Sequence, residues 1–411
     1  MSLTRYFSIL LLLLLAACAT PEPRPAADAV GERATCPTIV TSSCPICPSC
    51  PGVEPTVPAE RPLQAAEWRD LPGWSEDDPM PMWSGFLANC RRLDQQSAWK
   101  ATCAAARKLG DKSAANLRAW FEEHLRPWAA VQPDGARQGL ITGYYEPLLK
   151  GSRQESRAFS FPVYGPPDDM IVVELAEVYP ELKSMRLRGR LEGRKLLPYY
   201  SRAEWAQQES RRAKNVLLWV DDAIDLFFMQ VQGSGQVLLS DGQRIRLNYA
   251  DQNGHPYRSI GRWLIDRGEL KADQASMHGI KAWAKTHPQR LNELLNANPS
   301  MVFFRELPVE GAGPPGAMGI ALTPERSVAV DPRYLPLGAP IWLATTRPNS
   351  DQALNRLMLA QDTGGAIRGV VRADFYWGSG AQAGAEAGKM RQQGRMWVLW
   401  PKGFAPNLAK E

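Results

Sequence analysis

Three aspartates in the last quarter of the chain each adjoin an apolar segment. They are Asp331, Asp362 and Asp374. A carboxylate in such surroundings must be hydrogen-bonded or held neutral by a raised pKa, because an unpaired buried charge is costly. Capping of a turn explains the first two well, but it explains Asp374 poorly, since three aromatic residues separate it from Gly378. A carboxyl group among aromatic rings can act as a general acid, and such rings also stack on sugars.

Other catalytic patterns in the chain are weaker. Glu146 precedes Pro147, which favours an extended backbone, and it competes for an acid/base role, although a binding or structural carboxylate is the preferred interpretation. The segment Gly233-Ser234-Gly235 lacks the pattern of a serine nucleophile elbow. Its glycines suit either backbone contact with a ligand or a hairpin turn.

Composition disfavours several classes of protein. The four histidines are scattered along 411 residues, which argues against a histidine-rich metal site. Glycine patterns typical of nucleotide binding are absent from the sequence. A net charge of +5 without a concentrated basic stripe does not suggest a nucleic-acid partner.

The first residues have the pattern of an export signal. A basic start and an apolar run lead into Leu15-Ala16-Ala17-Cys18, which resembles the lipobox of bacterial lipoproteins. The apolar run is too short to span a bilayer, which takes roughly twenty residues. We therefore predict a signal peptide over 1–17 and lipidation of Cys18; a plain secreted protein is the alternative. Ala19 implies sorting to the outer membrane, facing the periplasm.

Residues 18–62 are predicted to form a lipidated tether, because they are rich in proline and poor in large apolar residues. The segment also contains four further cysteines: Cys36, Cys44, Cys47 and Cys50. Their spacing would suit zinc or a redox pair. An even number of thiols in an oxidising compartment favours disulfides instead. Cys90 and Cys103, which flank a helical stretch, are expected to pair with each other.

The remaining chain alternates helical and extended patterns. Apolar spacing predicts helices between Ala65 and Trp128, with Asp111 or Ser113 as a cap and the tryptophans in the core. Further helices are expected over 202–214, 260–267 and 274–296. Strands are expected over 140–147, 158–164, 215–220, 225–231, 236–239, 244–250, 301–306, 327–330, 340–344, 355–361, 370–376 and 396–400. Because the strands do not alternate regularly with helices, a doubly wound parallel sheet is disfavoured.

Several motifs carry a family resemblance. Gln361 to Ile367 with Asp374, together with 330–332 and 336–338, resembles the three-aspartate domain, a double-psi β-barrel. The segments 142–147, 228–235, 254–261 and 298–304 occur in the order found in the lytic murein transglycosylase A family. The resemblance covers roughly residues 70–402. The cysteine-rich tether departs from the family pattern.

The resemblance implies a mainly β fold. Residues 63–150 and 305–402 would form a discontinuous double-psi barrel with N-terminal helices, and 151–304 an inserted, β-rich glycan-binding domain. The substrate groove would lie between them. Asp374 and Asp362 would be catalytic, and Asp331 would brace a turn. The implied substrate-binding residues are Thr142, Gly143, Tyr144, Tyr145, Glu146, Gln232, Gly233, Ser234, Gly235, Gly364, Gly365 and Tyr376.

The implied activity is an exolytic carbon–oxygen lyase acting on peptidoglycan. Asp374 would protonate the β-1,4 glycosidic oxygen and then accept the proton of the C6 hydroxyl of N-acetylmuramic acid, giving a 1,6-anhydro end. Asp362 would raise the pKa of Asp374. No cofactor and no metal are expected. Expected partners are glycan strands and the outer membrane, with other cell-wall enzymes as a further class. The alternatives are a non-catalytic glycan-binding barrel and a hydrolytic muramidase.

Overall fold

The computed structural model describes residues 61–183 and 185–406. They belong to a compact unit that runs from Pro58 onward. The predicted signal peptide, Cys18 and the tether with its four cysteines lie outside the described residues. Within the described ranges, none of the helices is long and apolar enough to cross a membrane.

Strands outnumber helices in the described chain. The strands are β1 (Leu63–Ala65), β2 (Leu125–Ala130), β3 (Gly139–Glu146), β4 (Leu148–Ser152), β5 (Phe161–Tyr164), β6 (Ile171–Val173), β7 (Leu187–Glu192), β8 (Lys195–Pro198), β9 (Val216–Val220), β10 (Ser234–Leu239), β11 (Arg244–Gln252), β12 (Val302–Leu307), β13 (Ser327–Val330), β14 (Pro340–Thr346), β15 (Ala353–Asp362), β16 (Ala373–Ser379) and β17 (Arg391–Pro401). The helices are α1 (Met80–Leu93), α2 (Ser97–Lys108), α3 (Ala114–His124), α4 (Arg202–Trp205), α5 (Glu209–Lys214), α6 (Ala223–Gln232), α7 (Ile260–Asp266), α8 (Met277–Thr286), α9 (Leu291–Asn296) and α10 (Gly380–Lys389).

Six strands close into a barrel. Their order is β17-β14-β15-β13-β16-β3, and β3 pairs again with β17. Two of the pairs, β13 with β15 and β16 with β3, are parallel. In β15 the side chains of Leu357, Met358, Leu359 and Ala360 are fully buried, which accounts for the continuous apolar run in the sequence. The barrel that the resemblance implies is therefore present.

Three helices and two strands precede the closed ring in sequence. β1 pairs with β2, and β2 extends the sheet from β17. Trp83, Trp99 and Trp120 are buried in the same core cluster, as predicted. Cys90 on α1 and Cys103 on α2 form a disulfide, which confirms the predicted pair. The predicted cap also exists, since the Ser113 hydroxyl accepts a hydrogen bond from the third residue of α3.

A second sheet is built by the residues between the two halves of the barrel. Its order is β12-β11-β10-β4-β9-β5, and a three-stranded sheet, β6-β7-β8, accompanies it. The mainly β fold with a second β-rich part is thus confirmed. The bounds at 150 and 305 stay predictions; β4, which crosses the first of them, pairs with strands of the second sheet.

Several predicted elements were wrong. The segment 225–231, predicted as a strand, lies in helix α6, whose first turn is capped by the Asp222 carboxylate. Gly233, at φ 79°, ends this helix, so Gly233-Ser234-Gly235 joins a helix to a strand. The continuous helices expected over 202–214 and 274–296 are each interrupted, the second at Pro288. Helix α10 was missed because its buried face consists of the small residues Ala383, Gly384 and Ala387.

Candidate active site

The side chain of Asp374 lies on the barrel strand β16 beside β3. Thr142 is its register partner on β3, so the two side chains share one face of the sheet. The Thr142 hydroxyl donates a hydrogen bond of 2.5 Å to Oδ1 of Asp374. Among the described residues Oδ2 has no hydrogen-bond partner. One oxygen of Asp374 is therefore held in place, and the other is available to a ligand.

Asp362 ends the strand β15 on the other side of β13. Ala329 on β13 is the register partner of both Asp362 and Asp374, so the aspartate Cα atoms lie roughly 10 Å apart, two strand spacings. Both oxygens of Asp362 are occupied. Tyr144 donates its hydroxyl to Oδ2 at 3.1 Å, and the backbone N–H of Ala317 donates to Oδ1 at 3.0 Å. Asp362 is thus a fixed carboxylate, and both aspartates are partly exposed.

The pKa values of both carboxyl groups are raised. Burial raises the pKa of Asp362 to about 6, against hydrogen bonds from two backbone N–H groups and Tyr144, and the charge of Asp374 raises it further. Burial also raises the pKa of Asp374, while the Thr142 hydroxyl and the charge of Arg372 act in the opposite direction. The sequence predicted that Asp362 would raise the pKa of Asp374, and in the structure the charge of Asp374 raises the pKa of Asp362, an interaction that acts on both groups of the pair. The pair can hold one proton near neutral pH.

Two tyrosines border the carboxylates. The rings of Tyr144 and Tyr376 are register partners on β3 and β16, with centroids 5.2 Å apart. Burial and both nearby aspartates raise the pKa of Tyr144 well above its usual value, so its hydroxyl stays a donor. Tyr376 is fully buried and supports the ring of Tyr144 from within the sheet.

Glu146 belongs to a buried ion pair. Its carboxylate has no exposed surface and accepts hydrogen bonds from Arg246 at 2.6 Å and from Gln236 at 2.8 Å. The hydroxyl of Ser379 donates to it as well, at 2.6 Å. The partners come from β10, β11 and the end of β16, so Glu146 joins the barrel to the second sheet. This full set of donors favours a structural carboxylate over an acid/base catalyst.

Asp331 is also fully buried. Its carboxylate accepts hydrogen bonds from the Arg333 side chain and from the backbone N–H of Gly369. Burial alone would raise the pKa of Asp331, but these hydrogen bonds lower it below the usual value. The side chain thus connects the turn after β13 to the loop before β16. In that loop Gly364 packs on Ile367, whereas Gly365 is open to solvent.

The predicted Gln232 to Gly235 segment contacts β3 directly. Oε1 of Gln232 accepts a hydrogen bond from the backbone N–H of Tyr145. A side chain at Gly235 would collide with Met229, and one at Gly143 would collide with Trp377, so both glycines permit close packing. Ser234 is buried, while Gly233 is partly exposed.

In the described ranges, no group of three or more histidine, cysteine, aspartate or glutamate side chains could hold a metal ion. The arrangement suits proton transfer by a carboxyl pair in a partly buried site.

Comparisons with known proteins agree with this geometry. Two family models match, the MltA specific insert domain over residues 140–305 and the 3D domain over residues 326–400. Membrane-bound lytic murein transglycosylase A of Escherichia coli K12 is 35% identical over 279 residues, which cover 66% of this chain and 68% of that protein. The chain belongs to the membrane-bound lytic murein transglycosylase A family.

Solved structures of the lytic transglycosylase A family have the same fold. The crystal structure of MltA from Neisseria gonorrhoeae has a TM-score of 0.74 and 36% identity, over 87% of this chain and 100% of that one. The structure of E. coli MltA with bound chitohexaose has a TM-score of 0.62 and 29% identity, over 86% and 97% of the two chains. This membership makes the chain a peptidoglycan lytic transglycosylase, a lyase, and supports its association with a membrane.

Sequence reasoning missed several contacts of the family site. The N–H of Ala317 and the guanidinium of Arg372 act on the two aspartates, but no local pattern marks either residue. Arg246, the partner of Glu146, lies 100 residues from it in sequence. An isolated arginine in an alternating strand gave the only available signal.

Proposed function

We propose that this lyase cleaves the β-1,4 bond between N-acetylmuramic acid and N-acetylglucosamine without water, exolytically, with Asp374 as the catalytic acid and base. The observation that carries the assignment is the free Oδ2 of Asp374. Its other oxygen is held by Thr142, and both oxygens of its partner Asp362 are occupied. Of the two aspartates, Asp374 is the one with an oxygen that has no hydrogen-bond partner among the described residues.

The proposed reaction has two proton transfers at one carboxyl group. Protonated Asp374 gives its proton to the glycosidic oxygen as the bond to the anomeric carbon breaks. The C6 hydroxyl oxygen of the same N-acetylmuramic acid then bonds to that carbon, and its proton returns to Asp374. The product carries a 1,6-anhydro ring, no water is consumed, and the carboxyl group ends in its starting state.

Asp362 has a different role in this proposal. With the pair sharing one proton, a proton on Asp374 leaves a negative charge on Asp362, which stabilises positive charge developing at the anomeric carbon. Tyr144 keeps that charge in place through its hydrogen bond. Substrate contacts are proposed at Thr142, Gly233 and Gly365, where the described surface is open or partly open, and at the buried Tyr144 beside them.

The cellular setting is proposed from the N-terminal pattern. Lipidation at Cys18 would hold the enzyme on the outer membrane, facing the periplasm, with residues 18–62 as a tether. The relatives are named membrane-bound, which supports membrane association. Glycan strands of peptidoglycan are the proposed substrate, and the chitohexaose bound to the E. coli structure is a glycan of related chemistry.

The test is product analysis with Asp374→Asn. We expect the parent protein to release 1,6-anhydromuropeptides from purified sacculi, and the variant to lose roughly 10²–10⁴-fold in rate, the usual contribution of a general acid. The exposed Asp351→Asn is the matched control and should retain activity. Mass spectrometry distinguishes the mechanisms, because a hydrolytic muramidase would give products heavier by one water. Parental rates in Asp374→Asn would refute the assignment, and lack of any product from the parent would favour a binding protein.

A further inference from the structure

An open cleft lies at the surface between β2, the turn after β1 and the end of β17. Its volume is about 800 Å³, large enough for a small oligosaccharide. Three aromatic side chains line it: Trp68, Trp128 and Phe404. The two tryptophans are partly exposed and pack against the core, Trp68 with its ring centroid 4.6 Å from that of Trp74, whereas 49% of Phe404 is exposed. Nothing in the catalytic proposal uses these residues.

Charged groups stand beside the aromatic rings. Arg126 and Glu67 form an exposed ion pair at 3.1 Å, which offers donors and acceptors side by side. Lys402 also lines the cleft and has no ion-pair partner among the described residues. Glu122 lines the cleft too, where its carboxylate accepts a hydrogen bond from Trp74, so the cleft combines aromatic rings, an ion pair and one further charge of each sign.

The cleft is remote from the aspartates. Strand β17 connects the two places, since Arg391 at its start pairs with Thr142 and Pro401 at its end pairs with Leu125. At about 3.3 Å per residue, the ten intervening steps span roughly 30 Å. A ligand in the cleft would not contact Asp374.

We propose that this cleft is a second, non-catalytic glycan site that binds a peptidoglycan strand other than the one being cut. The proposal rests on the proposed function, which places the protein at the cell wall. A pyranose ring has an apolar C–H face that stacks on an aromatic ring and hydroxyl edges that bond to the Arg126 and Glu67 side chains. Lys402 would bind a carboxylate of the peptidoglycan peptide.

The consequence is bivalent attachment to the wall. Two weak sites on one rigid body raise the apparent affinity for a polymer that presents many strands, without any new contact at the catalytic site. Soluble short glycans gain nothing from this effect. The wall itself would therefore be bound more tightly than its fragments.

The experiment measures binding of the full-length Asp374→Asn protein to purified sacculi by co-sedimentation. We expect Phe404→Ala in that background to weaken binding roughly three- to tenfold, the usual worth of one aromatic contact, and Phe404→Trp to restore it. Tyr179→Ala is the matched control, because this aromatic residue is equally exposed, at 50%, but lies outside the cleft. Thermal unfolding should show that each variant folds.

A second measurement counts the sites. Calorimetric titration of the Asp374→Asn protein with chitohexaose should give two binding sites, of which Phe404→Ala weakens one and leaves the other unchanged. Unchanged sacculus binding in Phe404→Ala, or a single site in the parent, would overturn the proposal. If Asp374→Asn still released anhydro products while Phe404→Ala weakened sacculus binding, the catalytic assignment would be refuted and the proposal of a second glycan site would be supported.

Discussion

Replacing Tyr144 by phenylalanine removes one hydroxyl and leaves the ring in contact with the ring of Tyr376. That hydroxyl donates to Oδ2 of Asp362 and stabilises its ionised form. A hydrogen bond to a charged group is worth about 1.5–3 kcal/mol. The 3.1 Å distance is long for two oxygens, so the lower figure applies. It corresponds to about one pH unit.

The assay is the pH dependence of kcat/KM for release of anhydro products. The pair must hold one proton, and burial raises the pKa of both carboxyl groups, that of Asp362 to about 6. Activity should therefore fall as the pH rises through about 6 in the parent and through about 7 in Tyr144→Phe. Tyr164→Phe, which removes a hydroxyl bonded to Arg212 elsewhere, should leave the profile unchanged. A limb that stays in place or moves to lower pH in Tyr144→Phe would refute the shared-proton reasoning.

Three further variants probe stability by chemical denaturation. Burial raises the pKa of Asp362 from 3.8 to about 6, so the ionised carboxylate lowers the free energy of unfolding as the pH rises from about 4 to 6. Asp362→Asn should therefore raise the free energy of unfolding by about 1–2 kcal/mol at pH 8 and leave it unchanged below pH 4. The variant should also lose activity. Glu146→Gln leaves the buried charge of Arg246 without a counter-charge and should cost about 3 kcal/mol. Replacing Cys90 and Cys103 together by serine opens a short loop and should cost about 2–3 kcal/mol.

For each of these three stability predictions, one experimental result would contradict the physical reason given. A stability gain in Asp362→Asn that is the same at pH 4 and pH 8 would show that ionisation is not its cause. If Glu146→Gln unfolds at the parental denaturant concentration, the ion pair with Arg246 contributes no stability. If the variant with serine at both disulfide positions unfolds at the parental denaturant concentration and with the parental slope, the disulfide contributes no stability.

The barrel and its carboxylates could be predicted because their signals are local. The strand over Leu140 to Pro147 and the strands that carry Asp362 and Asp374 were recognised from short apolar runs ended by glycine or proline. Where chemistry follows from residues within one run and its turn, sequence reasoning works. The proposed roles of both aspartates stay predictions that the variants above test.

Two kinds of feature escaped prediction. Helix α6 contains Phe227, Phe228 and Val231, whose side chains favour strands. The Asp222 side chain caps the first turn of this helix, but in the sequence an aspartate at this position is equally typical of a turn. The pairing of Glu146 with Arg246 depends on how the two sheets pack together. No spacing in the sequence indicates that these two residues are in contact. Tertiary contacts therefore supplied what local patterns could not.

Strand β17 has a consequence for the order of events during synthesis. It is the last strand of the described chain and closes the ring by pairing with β14 and β3. The residues of β3 precede those of β17 by more than 200 positions. Contacts over such sequence separations form late, because a long loop must first be closed. Thr142 can meet Asp374 only after nearly the whole chain has been made. A nascent or truncated chain that lacks these C-terminal strands therefore cannot assemble the proposed catalytic site.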